Sequence, residues 1–137
     1  MASESPPSRV RVVVCGAHLS GLPLNSQLLE CGGTLVRATA TAAEYRLYEL
    51  PGTVPAKPGL IRVKNGGVAI AVEVWEIPME TYGSFVAGIP EPLGIGRVRL
   101  EGGDVVQGFL CESVALDGAR DVSEFGGWRA FLASKSK

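Results

Sequence analysis

Arg11-Val12-Val13-Val14-Cys15-Gly16-Ala17-His18-Leu19-Ser20-Gly21-Leu22-Pro23-Leu24 is the stretch around which the fold is read. Its β-branched valines form an unbroken apolar run, which suits a strand buried on both faces. The run opens into a glycine-containing turn that carries His18, the only histidine of the chain. Pro23 then fits the first turn of a helix on which Leu24, Leu28 and Leu29 share a face, with Gly32-Gly33 ending it after Cys31. A strand end, a turn and a helix start can present backbone N–H groups and an imidazole to a small anion.

Working outward, Thr34 to Thr41 alternates polar and apolar residues, as a half-exposed strand does. Glu44 to Leu50 repeats the alternation with Tyr45 and Leu47 on one face, and the short joint Ala42-Ala43 predicts an antiparallel pair between these two strands. Pro51 to Gly59 holds three prolines and reads as a stiff surface loop. Leu60 to Val63 leads into Asn65-Gly66, a hairpin signal, with Val68 to Ile77 as the long returning strand. A short helix is expected from Pro78 to Val86, then a second rigid loop from Ile89 to Gly96. Arg97–Leu100 and Val105–Cys111 flank another hairpin turn, and Ser123 is placed to cap a last helix with Phe125, Trp128 and Leu132 on one side. Strands joined by hairpins, with only short helices, predict an α+β domain or small closed sheet rather than a doubly wound one.

The chain has 137 residues, 46% of them hydrophobic, and a net charge of −1, which suits one globular domain. Interleaved charges give no reason to expect nucleic acid or an anionic membrane as partner. No apolar run approaches the roughly 20 residues of a membrane-crossing helix. Met1 to Ser8 has neither a basic nor an apolar block, so it reads as a disordered leader rather than a signal peptide, ahead of a domain over 9–134 and a solvated tail over 135–137. Cys15, Cys31 and Cys111 are odd in number, widely spaced and without a Cys-x-x-Cys pair, so they read as free apolar cysteines rather than a disulfide framework or a zinc site with His18. These features together describe a cytoplasmic protein, and its apolar strands leave room for a homodimer.

His18 is the sharpest chemical candidate, because an imidazole can act as acid or base near neutral pH. Gly16 to Gly21 lacks the Lys-Ser/Thr end of a phosphate-binding loop and does not match the dinucleotide fingerprint. Ser20 and Ser84 lack the Gly-x-Ser-x-Gly elbow of a nucleophilic serine. Arg37, Arg46, Lys57 and Arg62 are cations on or beside the neighbouring strands, and Glu73 and Glu76 are carboxylates inside an otherwise apolar strand, Glu73 being a candidate general base.

Val14-Cys15-Gly16-Ala17-His18-Leu19-Ser20-Gly21-Leu22-Pro23-Leu24-Asn25 resembles the opening of the C-terminal domain of allophanate hydrolases. Glu44-Tyr45-Arg46-Leu47-Tyr48-Glu49-Leu50-Pro51-Gly52-Thr53-Val54-Pro55-Ala56-Lys57-Pro58-Gly59-Leu60, Gly83-Ser84-Phe85-Val86 and Phe125-Gly126-Gly127-Trp128-Arg129 continue the resemblance in the same order, over about Val12 to Ala133. It implies a small mixed β-barrel with short flanking helices, similar to γ-glutamylcyclotransferases. It also implies cofactor-independent decarboxylation of N-carboxycarbamate, or a similar small carboxylated amide, in urea or amide nitrogen metabolism. His18 would be the proton donor, with Gly16, Ala17, Leu19, Tyr45, Lys57, Arg62 and Ser84 as substrate contacts. These 137 residues hold no amidase signature, so the substrate would come from a separate amidase. Two other readings stand beside this one: a non-catalytic binding module or accessory subunit of an amidase, and a γ-glutamyl cyclotransferase-like enzyme. Cyclotransferases have a Tyr-Gly-Ser/Thr loop where this chain has Cys15-Gly16-Ala17-His18, and their catalytic glutamate has no counterpart around Ser84-Phe85-Val86-Ala87.

Overall fold

The computed structural model describes residues 8–135. The expected leader, but for Ser8, and the last two residues of the tail lie outside them. The first strand, β1 (Arg9–Val14), buries Val12, Val13 and Val14 almost completely. That double-sided burial follows from its place in the centre of a sheet. The remaining elements in chain order are α1 (Asn25–Glu30), β2 (Thr34–Ala40), β3 (Tyr45–Glu49), β4 (Pro58–Arg62), β5 (Ala71–Pro78), α2 (Met79–Ala87), β6 (Leu93–Arg99), β7 (Val105–Cys111), β8 (Arg120–Asp121) and α3 (Trp128–Lys135).

One sheet has the order β2-β5-β1-β7-β6, and a smaller one the order β4-β3-β8. β1 runs antiparallel to β5 and parallel to β7, so the larger sheet is mixed. The class is α+β, as expected. The strands group into two sheets, and the bridge Thr41–Leu100 joins the ends of β2 and β6, the two edge strands of the larger sheet, while Tyr45–Val68 links the start of β3 to the segment before β5. Trp128, Tyr45 and Phe131 are the largest of the fully buried side chains between the layers.

Two hairpins read from the sequence are not formed. β2 and β3 do not pair, because Thr41 bonds with Ile70 and extends the β2–β5 ladder. The chain then crosses to the smaller sheet, where β3 lies between β4 and β8. Asn65-Gly66 does turn the chain, with φ +77° at Gly66, yet β4 and β5 belong to different sheets. Gly67 explains the route: a Cβ there would lie 2.4 Å from the carbonyl carbon of Glu44, so the chain presses against β3 instead of returning along β4. The Glu101–Asp104 hairpin does form, pairing β6 with β7.

Smaller differences have similar causes. Strand pairing begins at Pro58 and Leu93, inside the two expected loops, and Pro58 is tolerated because β4 is an edge strand. Leu29 is exposed on the one-and-a-half-turn α1, which buries Leu28 alone of the expected leucine face. Ser123 does not cap α3; its hydroxyl accepts the N–H of Leu47 at 2.8 Å, and Phe131 joins Trp128 on the buried face of the helix. Lys135 ends α3 and pairs with Glu49 instead of starting the tail.

Gly108 shows how tightly β1 and β7 approach. A Cβ there would lie 2.7 Å from Val13 Cβ and 2.9 Å from Val98 Cγ2. Both neighbours are buried, so neither can swing away. Gly108→Ala is expected to lower stability by about 1–3 kcal/mol through overpacking, read as a reduced urea midpoint with an unchanged slope.

Candidate functional site

The turn after β1 is folded by its own backbone. Leu19 N–H donates to Gly16 O, Leu22 N–H to Leu19 O, and Leu24 N–H to Ala17 O. Asn25, at the start of α1, donates through Nδ2 to His18 O at 2.8 Å. These bonds place the imidazole over Phe109 of β7, with ring centroids 4.8 Å apart, and beside Phe85 of α2 at 5.7 Å. His18 Nε2 lies 2.8 Å from Gln27 Oε1. In the tautomer that satisfies this contact, Nε2–H donates to Gln27 Oε1 and Nδ1 is the acceptor.

His18 lines a pocket of about 260 Å³. Gly16, Ala17 and His18 form one wall, backed by Leu24 and Gln27 of the following segment. The proline-rich loop forms a second wall with Val54, Pro55, Lys57 and Pro58. The segment after α2 supplies Ile89, Pro90 and Leu93. Gly16 is required by the first two walls: a Cβ on it would lie 2.3 Å from Pro58 Cδ.

The charge of this pocket is one-sided. Lys57 Nζ has no hydrogen bond or ion pair among the described residues, whereas the loop around it is tied by Lys57 N–H donating to Thr53 Oγ1. No Asp or Glu lines the pocket. The N–H groups of Ala17 and His18 also lack a partner among the described residues, although Ala17 is buried. A buried N–H without a partner is uncommon and calls for one. Burial lowers the His18 pKa below its ordinary 6.5; the Gln27 bond opposes that shift and the nearby Lys57 charge adds to it. The free site therefore holds a neutral imidazole beside an uncompensated ammonium.

Of the expected contacts, Gly16, Ala17, His18 and Lys57 come together here. The other four do not reach the pocket. Leu19 is buried on the far side of the turn, in a separate hollow with Glu73 and Arg129. Tyr45 is fully buried in the core, and its hydroxyl accepts the N–H of Arg99 at 2.8 Å. Arg62 is paired with Glu44 at 2.7 Å. Ser84 donates to Thr81 O within α2, and its neighbour Phe85 is the residue that meets the imidazole. Gln27 and Phe109 were not expected. Gln27 stands nine residues after His18 without any motif, and Phe109 arrives only through the pairing of β1 with β7. Among the described residues no three His, Cys, Asp or Glu side chains gather as a metal site.

Glu73 is not in the pocket but fixes the turn that lines it. Its Oε1 accepts Ser20 N–H at 2.9 Å, Ser20 Oγ at 3.0 Å and Trp75 Nε1 at 3.0 Å. Its Oε2 accepts from Arg129 at 3.0 Å, and Arg129 also donates to Ser20 O at 2.7 Å. Burial pushes the Glu73 carboxyl up, but these bonds outweigh it and hold the pKa below 4.5. Glu73 is thus a saturated clamp, not a general base. Glu73→Gln is expected to cost about 1.5–3 kcal/mol at neutral pH, the range for hydrogen bonds to a charged group. Because the folded pKa is depressed, that contribution is present above pH 4.5 and is lost as pH falls through the lower folded value. Urea midpoints of variant and wild type should converge in that acid range; a gap independent of pH would disprove the charged clamp.

Comparison with known proteins places the chain in a family. The sequence model of the "Allophanate hydrolase C-terminal domain" family matches residues 10–133. The urea amidolyase of Saccharomyces cerevisiae is 40% identical over 136 residues, which are 96% of this chain and 7% of that protein. The crystal structure of the Kluyveromyces lactis urea amidolyase superposes with a TM-score of 0.90 at 43% identity, over 93% of this chain and 8% of that one. A uropathogenic E. coli-specific protein superposes with a TM-score of 0.86 at 33% identity, over 92% of this chain and 97% of that one. The chain thus spans less than a tenth of the length of the urea amidolyases it matches. A gamma-glutamyl cyclotransferase, 11% identical with a TM-score of 0.52, shares the fold alone. With the family match running from β1 to the last turns of α3, the chain belongs to the allophanate hydrolase C-terminal domain family, on a γ-glutamylcyclotransferase-like fold.

Proposed function

We propose that this domain decarboxylates N-carboxycarbamate or a similar small carboxylated amide, with His18 delivering the proton. The observation that carries the proposal is the pocket lined by His18, an unpaired Lys57 and no carboxylate, next to a turn in which the Ala17 and His18 N–H groups lack a partner among the described residues. Such a site favours a small anion.

The chemistry follows from the charges. Loss of CO₂ from N-carboxycarbamate breaks a C–N bond, and the electron pair stays on nitrogen, which must take a proton as carbamate forms. In the free site His18 is neutral, since burial and Lys57 both disfavour its charged form. A bound anion reverses that balance, because an opposite charge nearby favours imidazolium. The acid therefore forms when substrate is present and can protonate the departing nitrogen. Lys57 and the turn N–H groups hold a carboxylate of the substrate. Relatives named urea amidolyase and allophanate hydrolase support an amidase as the source of the substrate. The same pocket gives no support to glutamyl cyclisation, since no glutamate lines it.

Coupling the purified chain to an amidase domain that releases the intermediate tests the proposal through the rate of CO₂ release. His18→Ala is expected to lower the enzyme-dependent rate by about 10²–10⁴-fold, the usual contribution of a general acid. A wild-type rate no faster than spontaneous breakdown would overturn the proposal and leave a non-catalytic binding module. The His18 ring, followed by NMR, should titrate below 6.5 in the free protein and at higher pH when malonate is bound. No displacement of that titration by the anion would contradict the site.

A further inference from the structure

N-carboxycarbamate is only one heavy atom larger than benzene. An apolar void of about 150 Å³ already accommodates benzene, and this pocket measures about 260 Å³. A bound N-carboxycarbamate would leave a substantial part of it to water. The unfilled part has a definite chemistry, because Val54, Pro55, Ile89, Pro90 and Leu93 bring no polar side chain to the lining. Confining water against such walls is unfavourable, and an apolar ligand group that displaces it is favoured.

Two further observations point the same way. Val54 is 94% exposed at the rim, although its loop is ordered by the Thr53–Lys57 bond. An apolar side chain held out at the mouth of a pocket loses exposed area only when something apolar covers it. Lys57 is also the one Lys or Arg side chain of the lining. Together with the His18 turn it can seat a ligand that carries a single carboxylate.

We propose that the pocket takes an N-carboxylated amine or amide whose far end is apolar and branched, with its one carboxylate at Lys57 and the His18 turn. The apolar group lies between the proline-rich loop and the Ile89–Leu93 segment. This specificity rests on the anion seat described under the proposed function and extends it to a larger class of substrate.

The probe is 4-methylpentanoate, a stable isostere of N-isobutylcarbamate, compared with acetate and malonate by calorimetric titration of the intact chain. Binding of 4-methylpentanoate at least tenfold tighter than either small anion is expected, since each buried methylene contributes about 0.8 kcal/mol and about 1.4 kcal/mol is tenfold. Val54→Ser, a substitution at an exposed position that leaves the fold intact, should cut that advantage by about threefold without changing the affinity for acetate. Ile89→Asn should cut it further. Lys57→Met should weaken all three ligands alike. Equal affinity for the three anions, or tightest binding of malonate, would overturn the apolar specificity and leave the anion seat standing. If none of the three binds, the anion seat itself fails and this inference falls with it.

Discussion

A carboxylate buried in a sheet must be fully hydrogen-bonded and matched by positive charge, and Glu73 meets this requirement by holding three parts of the chain together. It stands on β5, whose partners are β1 and β2, so its position is set by the centre of the larger sheet. Its bonds reach forward to Ser20 in the His18 turn and, through Arg129, to α3 near the end of the chain. Arg129 is half exposed, but its second bond to Ser20 O keeps it in place. A neutral residue at 73 would leave Ser20 N–H and Arg129 without their common partner, and the turn that lines the pocket would lose its anchor.

The opposite wall is set by contact rather than charge. Gly16 lets Pro58 come within reach of the backbone, and Gly59 lets Cys111 and Leu50 do the same one residue later. β4 is therefore pressed against the ends of β1 and β7, and the loop before it places Lys57 over the His18 turn. Cys15 lies in the same compressed region, where burial, with Cys111 nearby, pushes its pKa up to about 12. At neutral pH it is a thiol, and it adds no negative charge to the pocket. The ammonium of Lys57 is left uncompensated because every neighbour within the pocket is neutral or apolar.

The parts legible in the sequence were those set by local pattern. Val12 to Val14 announce a doubly buried strand, Gly32-Gly33 the end of α1, Pro78 the entrance to α2, and Glu101–Asp104 a true hairpin. Long-range partners were not legible. β2 and β3 alternate as a hairpin would, but Thr41 finds a better partner in Ile70, 29 residues away, and no local signal records that choice. The same limit applies to the site. Gly16, Ala17 and His18 share one turn and Lys57 lies in the separate proline-rich motif, whereas Phe109 meets His18 only because β7 lies parallel to β1. Tyr45 shows the converse error: a tyrosine in a matching motif looks like a ligand contact, yet alternation along β3 turns it into the core.

The fold itself does not choose between a decarboxylase and a cyclotransferase, since one scaffold supports different chemistries. What separates them is the charge of the lining. A cyclisation that uses a glutamate as base needs a carboxylate facing its substrate, and in this chain the nearby carboxylate, Glu73, lies behind the turn and is already saturated. An imidazole and a cation, His18 and Lys57, line the pocket instead. That polarity suits a reaction in which an anion is held and a leaving nitrogen must be protonated. The clamp at Glu73 thus acts twice: it anchors the His18 turn, and by pairing its own charge with Arg129 behind that turn it keeps negative charge out of the pocket.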